Sequence, residues 1–264
     1  MGLATALIAA THFSRCLPID LSMKRLESRG KSPKRKPAPR ERVGTIIARL
    51  KKAHPDATLA LNFSSPFELL IALILAAQCT DEKVNEVTST LLFKKYRSPA
   101  DYVRVPVTEL EADIRPTGFY RNKTKAVQAC CQQLIERFHG QVPHSIEELT
   151  SLRGVGRKTA NIVLGNAFGQ PAIGVDTHVM RLSQRLGLTT QHDPDKIEAD
   201  LTQLVPLTEQ THFCHLLQYH GRRICVARKP LCAQCVITDL CPYPDKTQPA
   251  APRPVRPAFG RRPE

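Results

Sequence analysis

The sequence predicts an all-α protein of about ten helices with short connections, and three observations carry that expectation. Helix-start signals recur along the chain, apolar residues fall at helical spacing, and no convincing run of alternating strand residues occurs. A length of 264 residues suffices for one to two domains with a real core.

The elements follow in order. Residues 1–40 read as an extension. Met1–Ala10 lacks a basic leader, and Lys24 to Arg42 is basic, proline-bearing and aperiodic, so it is expected to be a mobile arm. Ser65-Pro66-Phe67-Glu68 then supplies an N-cap, a proline at the first helical position and a glutamate at the third, ahead of a long apolar run. Ser98-Pro99-Ala100-Asp101 repeats the signal, Thr108 with Glu111 and Ser145 with Glu148 read as further capping boxes, and Asp193-Pro194 opens another helix. Val84, Val87 and Leu91 fit one helical face, as do Val127, Cys130, Leu134 and Phe138, the last stopped by Gly140. From Pro242 to Glu264 seven prolines mark an irregular tail.

Charge narrows the function. The chain carries a net +14, more than a neutral small substrate requires, so polyanions are the default partners. Much of that charge lies in the tails: residues 1–42 hold ten Lys and Arg against three acids, and residues 43–241 carry only +4. The longest apolar stretch, from Pro66 to Ala77, contains Glu68 and is too short to span a bilayer. No membrane partner is expected.

Four of the nine cysteines gather at Cys225, Cys232, Cys235 and Cys241. Thiolates packed so closely can face one centre and suit a soft metal or cluster. The other five, Cys16, Cys79, Cys130, Cys131 and Cys214, are scattered, and no secretory signal is present, which argues against a disulfide knot. Spacing alone leaves zinc and a 4Fe–4S cluster open, because only Cys232 and Cys235 form a close pair. Arg222, Arg223, Arg228 and Lys229 surround the first of these cysteines and are candidates to clamp a phosphate backbone.

Leu152, Gly154, Val155, Gly156 and Arg157 fall in a glycine hairpin between two helices. The glycines allow close backbone approach, and the following helix offers free N–H groups and a positive dipole end, which together make an anion pocket. A nucleotide-binding reading fails because no strand precedes the hairpin. Lys158 stands in the first turn of that helix, where the positive pole disfavours an ammonium, which suits a nucleophilic amine; a lysine that only neutralises phosphate is the simpler alternative. Asp176 is placed to cap the helix through Met180 and Leu186, either as a cap only or also as a partner of the lysine. His178 reads as a packing histidine.

Taken together, LAAQCTD (75–81), GFYRNK (118–123), LRGVGRKTANIVL (152–164), VDTHVMRL (175–182) and HGRRICVARKPLCAQCVITDLC (220–241) resemble the endonuclease III group of helix-hairpin-helix DNA glycosylases. The resemblance covers about residues 41–245. It implies a two-domain α fold, with a six-helix domain over 59–171, a second domain from 41–58 and 172–245, and tails at 1–40 and 246–264. It also implies a 4Fe–4S cluster on the four cysteines. Damaged double-stranded DNA would bind across the cleft with its nucleotide flipped out. Lys158 matches the attacking amine and Asp176 the essential carboxylate of a bifunctional DNA glycosylase/AP lyase for oxidised pyrimidines; a mismatch-specific thymine glycosylase and a catalytically silent DNA-binding relative are the alternatives. Gln78 matches the residue that fills the gap left by the flipped nucleotide. Phe119 stands where members often place a leucine wedge, and Ala76 where many bacterial members carry serine near the base. Asp81 is retained as a base contact or a helix cap. A monomer acting in the bacterial cytoplasm at the nucleoid completes the expectation, with organelle targeting left open.

Overall fold

A computed structural model describes residues 39–247. Every regular element among them is helical: twelve α-helical segments with short 3-10 and π turns. Of the expected tails at 1–40 and 246–264, residues 1–38, with Cys16 among them, and 248–264 lie outside the described residues.

Helix α1 spans Pro39–Ala53 and buries Val43, Ile46, Ile47 and Leu50 along one face. It corrects the expected arm, because residues 39–42 are helical and Arg42 is buried, donating to the carbonyl of Leu240 at 2.6 Å. Aperiodic basic composition hid a helix start whose arginine points inward.

Helix α2 spans Pro66–Leu75. Ser65 caps it by accepting from the Glu68 N–H at 3.2 Å, while Glu68 reaches back to the Ser64 N–H at 2.6 Å. Leu69, Leu70, Ile71, Ala72, Ile74 and Leu75 are all buried, so α2 is wrapped on nearly every side, as a central helix must be. Helix α3 (Asp81–Val87) runs into a π turn over residues 88–92 and the short α4 (Phe93–Lys95). The π turn shifts the register, so Leu92 is buried while Leu91, expected on the inner face, is exposed.

Helix α5 spans Pro99–Arg104 behind a full Ser98–Asp101 capping box. Helix α6 spans Val107–Ile114, and here the expectation fails: Pro106 holds the N-cap position and Thr108 lies inside the first turn. A proline two residues upstream sets the extended-to-helical transition before Thr108 can cap. Helix α7 (Tyr120–Phe138) ends with His139 in the left-handed region and Gly140 donating to the carbonyl of Leu134 at 2.8 Å. Helix α8 (Ile146–Thr150) starts at a Ser145 cap. Helices α9 (Arg157–Ala167), α10 (Thr177–Arg185), α11 (Pro194–Leu204) and α12 (Gln210–Arg223) complete the set.

Apolar residues form two cores. The first draws on residues 61–172 and centres on α2, α7 and α9. The second draws on 43–57 and 173–237, so α1 packs with α10, α11 and α12 rather than with its sequence neighbours. The tail expectation also changes at its start. Tyr243 lies under the Arg185 guanidinium at 4.8 Å, the Lys246 amine donates to the Thr238 carbonyl at 2.6 Å, and Thr247 meets Pro230, so residues 242–247 strap back onto the cysteine loop.

Candidate active site and cluster loop

The glycine hairpin connects α8 to α9. Gly154 has φ +84°, and a Cβ there would stand 3.1 Å from Ala126 Cβ, so both conformation and packing require glycine. Gly156 caps α9 without a side chain, which leaves the first N–H groups of the helix facing outward. Lys158 emerges one residue into that helix and is exposed, whereas Leu152 and Val155 are buried and anchor the turn.

Asp176 caps α10. Its Oδ1 accepts from the His178 N–H at 2.9 Å and the Val179 N–H at 2.7 Å, while Oδ2 carries no hydrogen bond among the described residues. The extended segment before it runs along α9: a Cβ on Gly174 would lie 3.1 Å from Ile162 and 3.7 Å from the Lys158 carbonyl. The segment that leads to Asp176 thus runs beside the first turn of α9, and the charges of Lys158 and Asp176 both act on His178. Burial pushes the His178 imidazole below its ordinary value; Asp176 opposes, and Arg181, Arg222 and Lys158 add to the lowering. His178 Nδ1 accepts from Arg181 at 3.1 Å, so it is a satisfied, half-buried histidine.

Gln78 and Phe119 meet across a groove of about 260 Å³ lined also by Ile74, Asn122, Lys123 and Gly154. Both Gln78 and Phe119 adopt positive φ, +53° and +47°, and Phe119 is 63% exposed. Two strained residues that present side chains to one groove suit contacts with a distorted duplex. Sequence reasoning passed over Lys123, which is buried to 4% exposure and donates to the Thr117 carbonyl at 2.7 Å, tying down the loop that carries Phe119. Burial holds its amine below the usual lysine value, with Cys79 opposing. Nothing in GFYRNK marks its lysine as an inward one.

Asp81 is no helix cap: Thr80 caps α3, and Asp81 instead accepts from Arg222 at 3.0 Å, bridging the two cores. Arg223 pairs with Asp56 at 2.6 Å. Of the four cations around Cys225, only Arg228 and Lys229 lack an ion pair among the described residues and stay available to an anion.

Cys225, Cys232, Cys235 and Cys241 line one cavity with Leu182, Leu186 and Ile237. Four thiols around one mainly apolar cavity are a donor set that fits an iron-sulfur cluster. Nitrogen atoms already lie within hydrogen-bond reach of two of the sulfurs. Arg185 Nη1 donates to Cys225 Sγ at 3.3 Å, and His220 Nε2 lies 3.3 Å from Cys235 Sγ. Such donors stabilise thiolate ligands and orient them.

Comparison with known proteins decides the family. Residues 71–207 match the HhH-GPD superfamily of base excision DNA repair proteins, and residues 225–241 match the iron-sulfur binding domain of endonuclease III. Endonuclease III of Synechocystis is 49% identical over 204 residues, covering 77% of this chain and 93% of that one. The chain belongs to the endonuclease III family. Endonuclease III of Bacillus subtilis is 48% identical over 188 residues, 71% of this chain and 85% of its own. A solved non-covalent endonuclease III–DNA complex superposes with a TM-score of 0.73 at 45% identity over 77% of this chain and 95% of that one. The endonuclease III fold thus accounts for both cores and for the cysteine loop, whose cofactor is a 4Fe–4S cluster.

Proposed function

We propose that Lys158 and Asp176 carry out the reaction of this DNA glycosylase/AP lyase of base excision repair, with oxidised pyrimidines in duplex DNA as substrates. The observation that supports the assignment most directly is the exposed Lys158 at the start of α9, where the segment leading to Asp176 packs against the first turn of that helix. The two cores support a two-domain reading, 59–171 against 41–58 with 172–245, with DNA across the cleft between them.

The hairpin residues Leu152, Gly154, Val155, Gly156 and Arg157 hold the backbone near the lesion through their main-chain N–H groups, and the side chains of Arg228 and Lys229 extend that hold from the cluster loop. Flipping is required because C1′ is buried in the stacked duplex. Gln78 enters the gap, Phe119 wedges the opposite strand by stacking, and Asp81, paired with Arg222, is the remaining candidate base contact. The neutral Lys158 amine attacks C1′, the C1′–N bond breaks, and the base departs with its electron pair and takes up a proton. Asp176 accepts the proton shed by the amine and balances the cationic sugar. The sugar ring then opens as the C1′–O4′ bond breaks and O4′ takes up a proton, which gives an iminium that acidifies C2′; loss of that C2′ proton and of the 3′ phosphate leaves a strand cut 3′ to the site.

When bound, the 4Fe–4S cluster crosslinks the loop through its four cysteines and so fixes the cations that the loop presents. The reading includes a monomer acting at the nucleoid. Borohydride trapping on a thymine-glycol duplex tests the assignment. Wild type is expected to yield a covalent adduct and Lys158→Gln none, with its fold and most DNA affinity retained. Undiminished nicking by Lys158→Gln would place the nucleophile elsewhere, and an adduct confined to T:G duplexes would favour the mismatch alternative.

A further inference from the structure

We propose that Glu198 is a positioning residue for Lys158: it clamps the start of α9 to the second core and takes up the charge of Arg157, the cation that precedes Lys158 in the first turn of that helix. The proposal rests on reading Lys158 as the nucleophile, and it names what sets the place of that amine.

Helix α9 starts poorly on its own terms. Its N-cap is a glycine, its first turn holds no acid, and both residues that open it, Arg157 and Lys158, are cations at the positive pole of the helix. Glu198 of α11 supplies the missing acid through space. Arg157 Nε donates to its Oε2 at 2.9 Å and Nη2 to its Oε1 at 2.7 Å, two parallel bonds of the geometry that guanidinium and carboxylate match best. Asn161, one turn further along α9, donates to Oε2 at 2.8 Å. The carboxylate is only 14% exposed, so solvent screens it weakly, and Asp195 stands further from the guanidinium at 3.9 Å.

The position of Glu198 in the fold gives these bonds their consequence. Its neighbours Ile197 and Leu201 are buried in the second core, the core whose helix α10 is capped by Asp176. Through Arg157 and Asn161, the frame that carries Lys158 is tied to the frame that carries Asp176. Attack at C1′ depends on the separation of those two groups, and a displacement of about 1 Å costs on the order of a hundredfold in rate. The same bonds occupy the Nε–Nη2 edge of the Arg157 guanidinium, so its charge is paired with Glu198 before any phosphate arrives.

Glu198→Gln tests this with the full-length, cluster-loaded protein on a thymine-glycol duplex. The single-turnover rate of adduct formation under borohydride is expected to fall about 10- to 100-fold. Affinity for the duplex should hold or tighten, and the plot of log affinity against log salt should steepen by about 0.9 as Arg157 is released to a phosphate. The exchange of Arg157→Glu with Glu198→Arg should restore the rate to within about tenfold, because it rebuilds the clamp. A folded Glu198→Gln protein with the wild-type rate overturns the proposal. So does a rate loss that only follows a loss of melting temperature or cluster absorbance, with the salt slope unmoved and no recovery in the exchange variant. Should Glu198→Gln not fold, the exchange variant decides: a recovered rate supports the clamp, and a slow, folded protein overturns it. Absence of any adduct from wild type would instead strike the assignment of Lys158, and the clamp would fall with it.

Discussion

Asp176 caps α10 with Oδ1 and leaves Oδ2 open, so the cap and the proposed chemistry are separable by substitution. Asp176→Ser keeps an N-cap oxygen and removes the carboxylate. It is expected to cost at most about 1 kcal/mol in chemical denaturation while base excision falls severely; intact excision would make Asp176 a cap alone. His215 makes a second residue-scale test. It is buried against Asn166 Oδ1 at 2.8 Å, and burial lowers its pKa from 6.5 to about 4. Between those two values the unfolded chain binds a proton that the folded one refuses. Stability should therefore fall as pH drops from 6.5 to about 4, by a few kcal/mol at about 1.4 per unit, and level off below. His215→Gln should flatten that slope in urea denaturation across the window. Asp176 was legible in VDTH as a cap because capping is local; its open oxygen was not, since what faces it comes from other elements.

Helices were legible where their own ends carry the signal. Ser65, Ser98, Ser145 and Asp193 all precede helices as read, each with a polar side chain next to the first turn. Thr108 misled because a capping box is a local pattern and the preceding Pro106 had already set the helix start. Leu91 misled because a uniform 3.6-residue period was carried through a π turn. How the helices cross was invisible in the sequence. Gly165 of α9 meets α12 so closely that a Cβ would lie 2.7 Å from Thr211 Cγ2 and 3.1 Å from Thr211 Cβ, and the Thr211 hydroxyl is itself held by the Ala172 carbonyl at 3.3 Å. Gly165→Ala has a helix-propensity gain of about 1 kcal/mol in its favour. Thermal melting is nonetheless expected to show net destabilisation of about 1–3 kcal/mol from overpacking at that crossing. A raised melting temperature would mean that the two helices can separate freely.

At the scale of the molecule, the chain places its basic charge unevenly, and that has a measurable consequence. Residues 1–38 hold eight Lys and Arg against two acids, while α1 begins at Pro39 and sinks Val43, Ile46 and Leu50 into the second core. Removal of 1–38 should flatten the salt dependence of DNA binding and leave the turnover of bound substrate unchanged; an unaltered slope would show that the arm makes no phosphate contacts. A deletion reaching residue 50 should abolish folding of the second core and retention of the cluster, as Arg42 and Arg49 both donate to the cysteine loop.

By itself the sequence determined the helical class, most helix starts, the glycine hairpin with its lysine, and four thiols close enough to serve one centre. These are properties of short windows, set by capping, backbone freedom and side-chain chemistry. Tertiary structure alone decided that Arg222 spends its charge on Asp81, that Lys123 points inward, and that Arg157 answers to Glu198. Each of those outcomes joins residues distant along the chain or turns a side chain that looks solvent-facing toward the interior. Burial and charge pairing are set by which surfaces meet, and no local pattern carries that information.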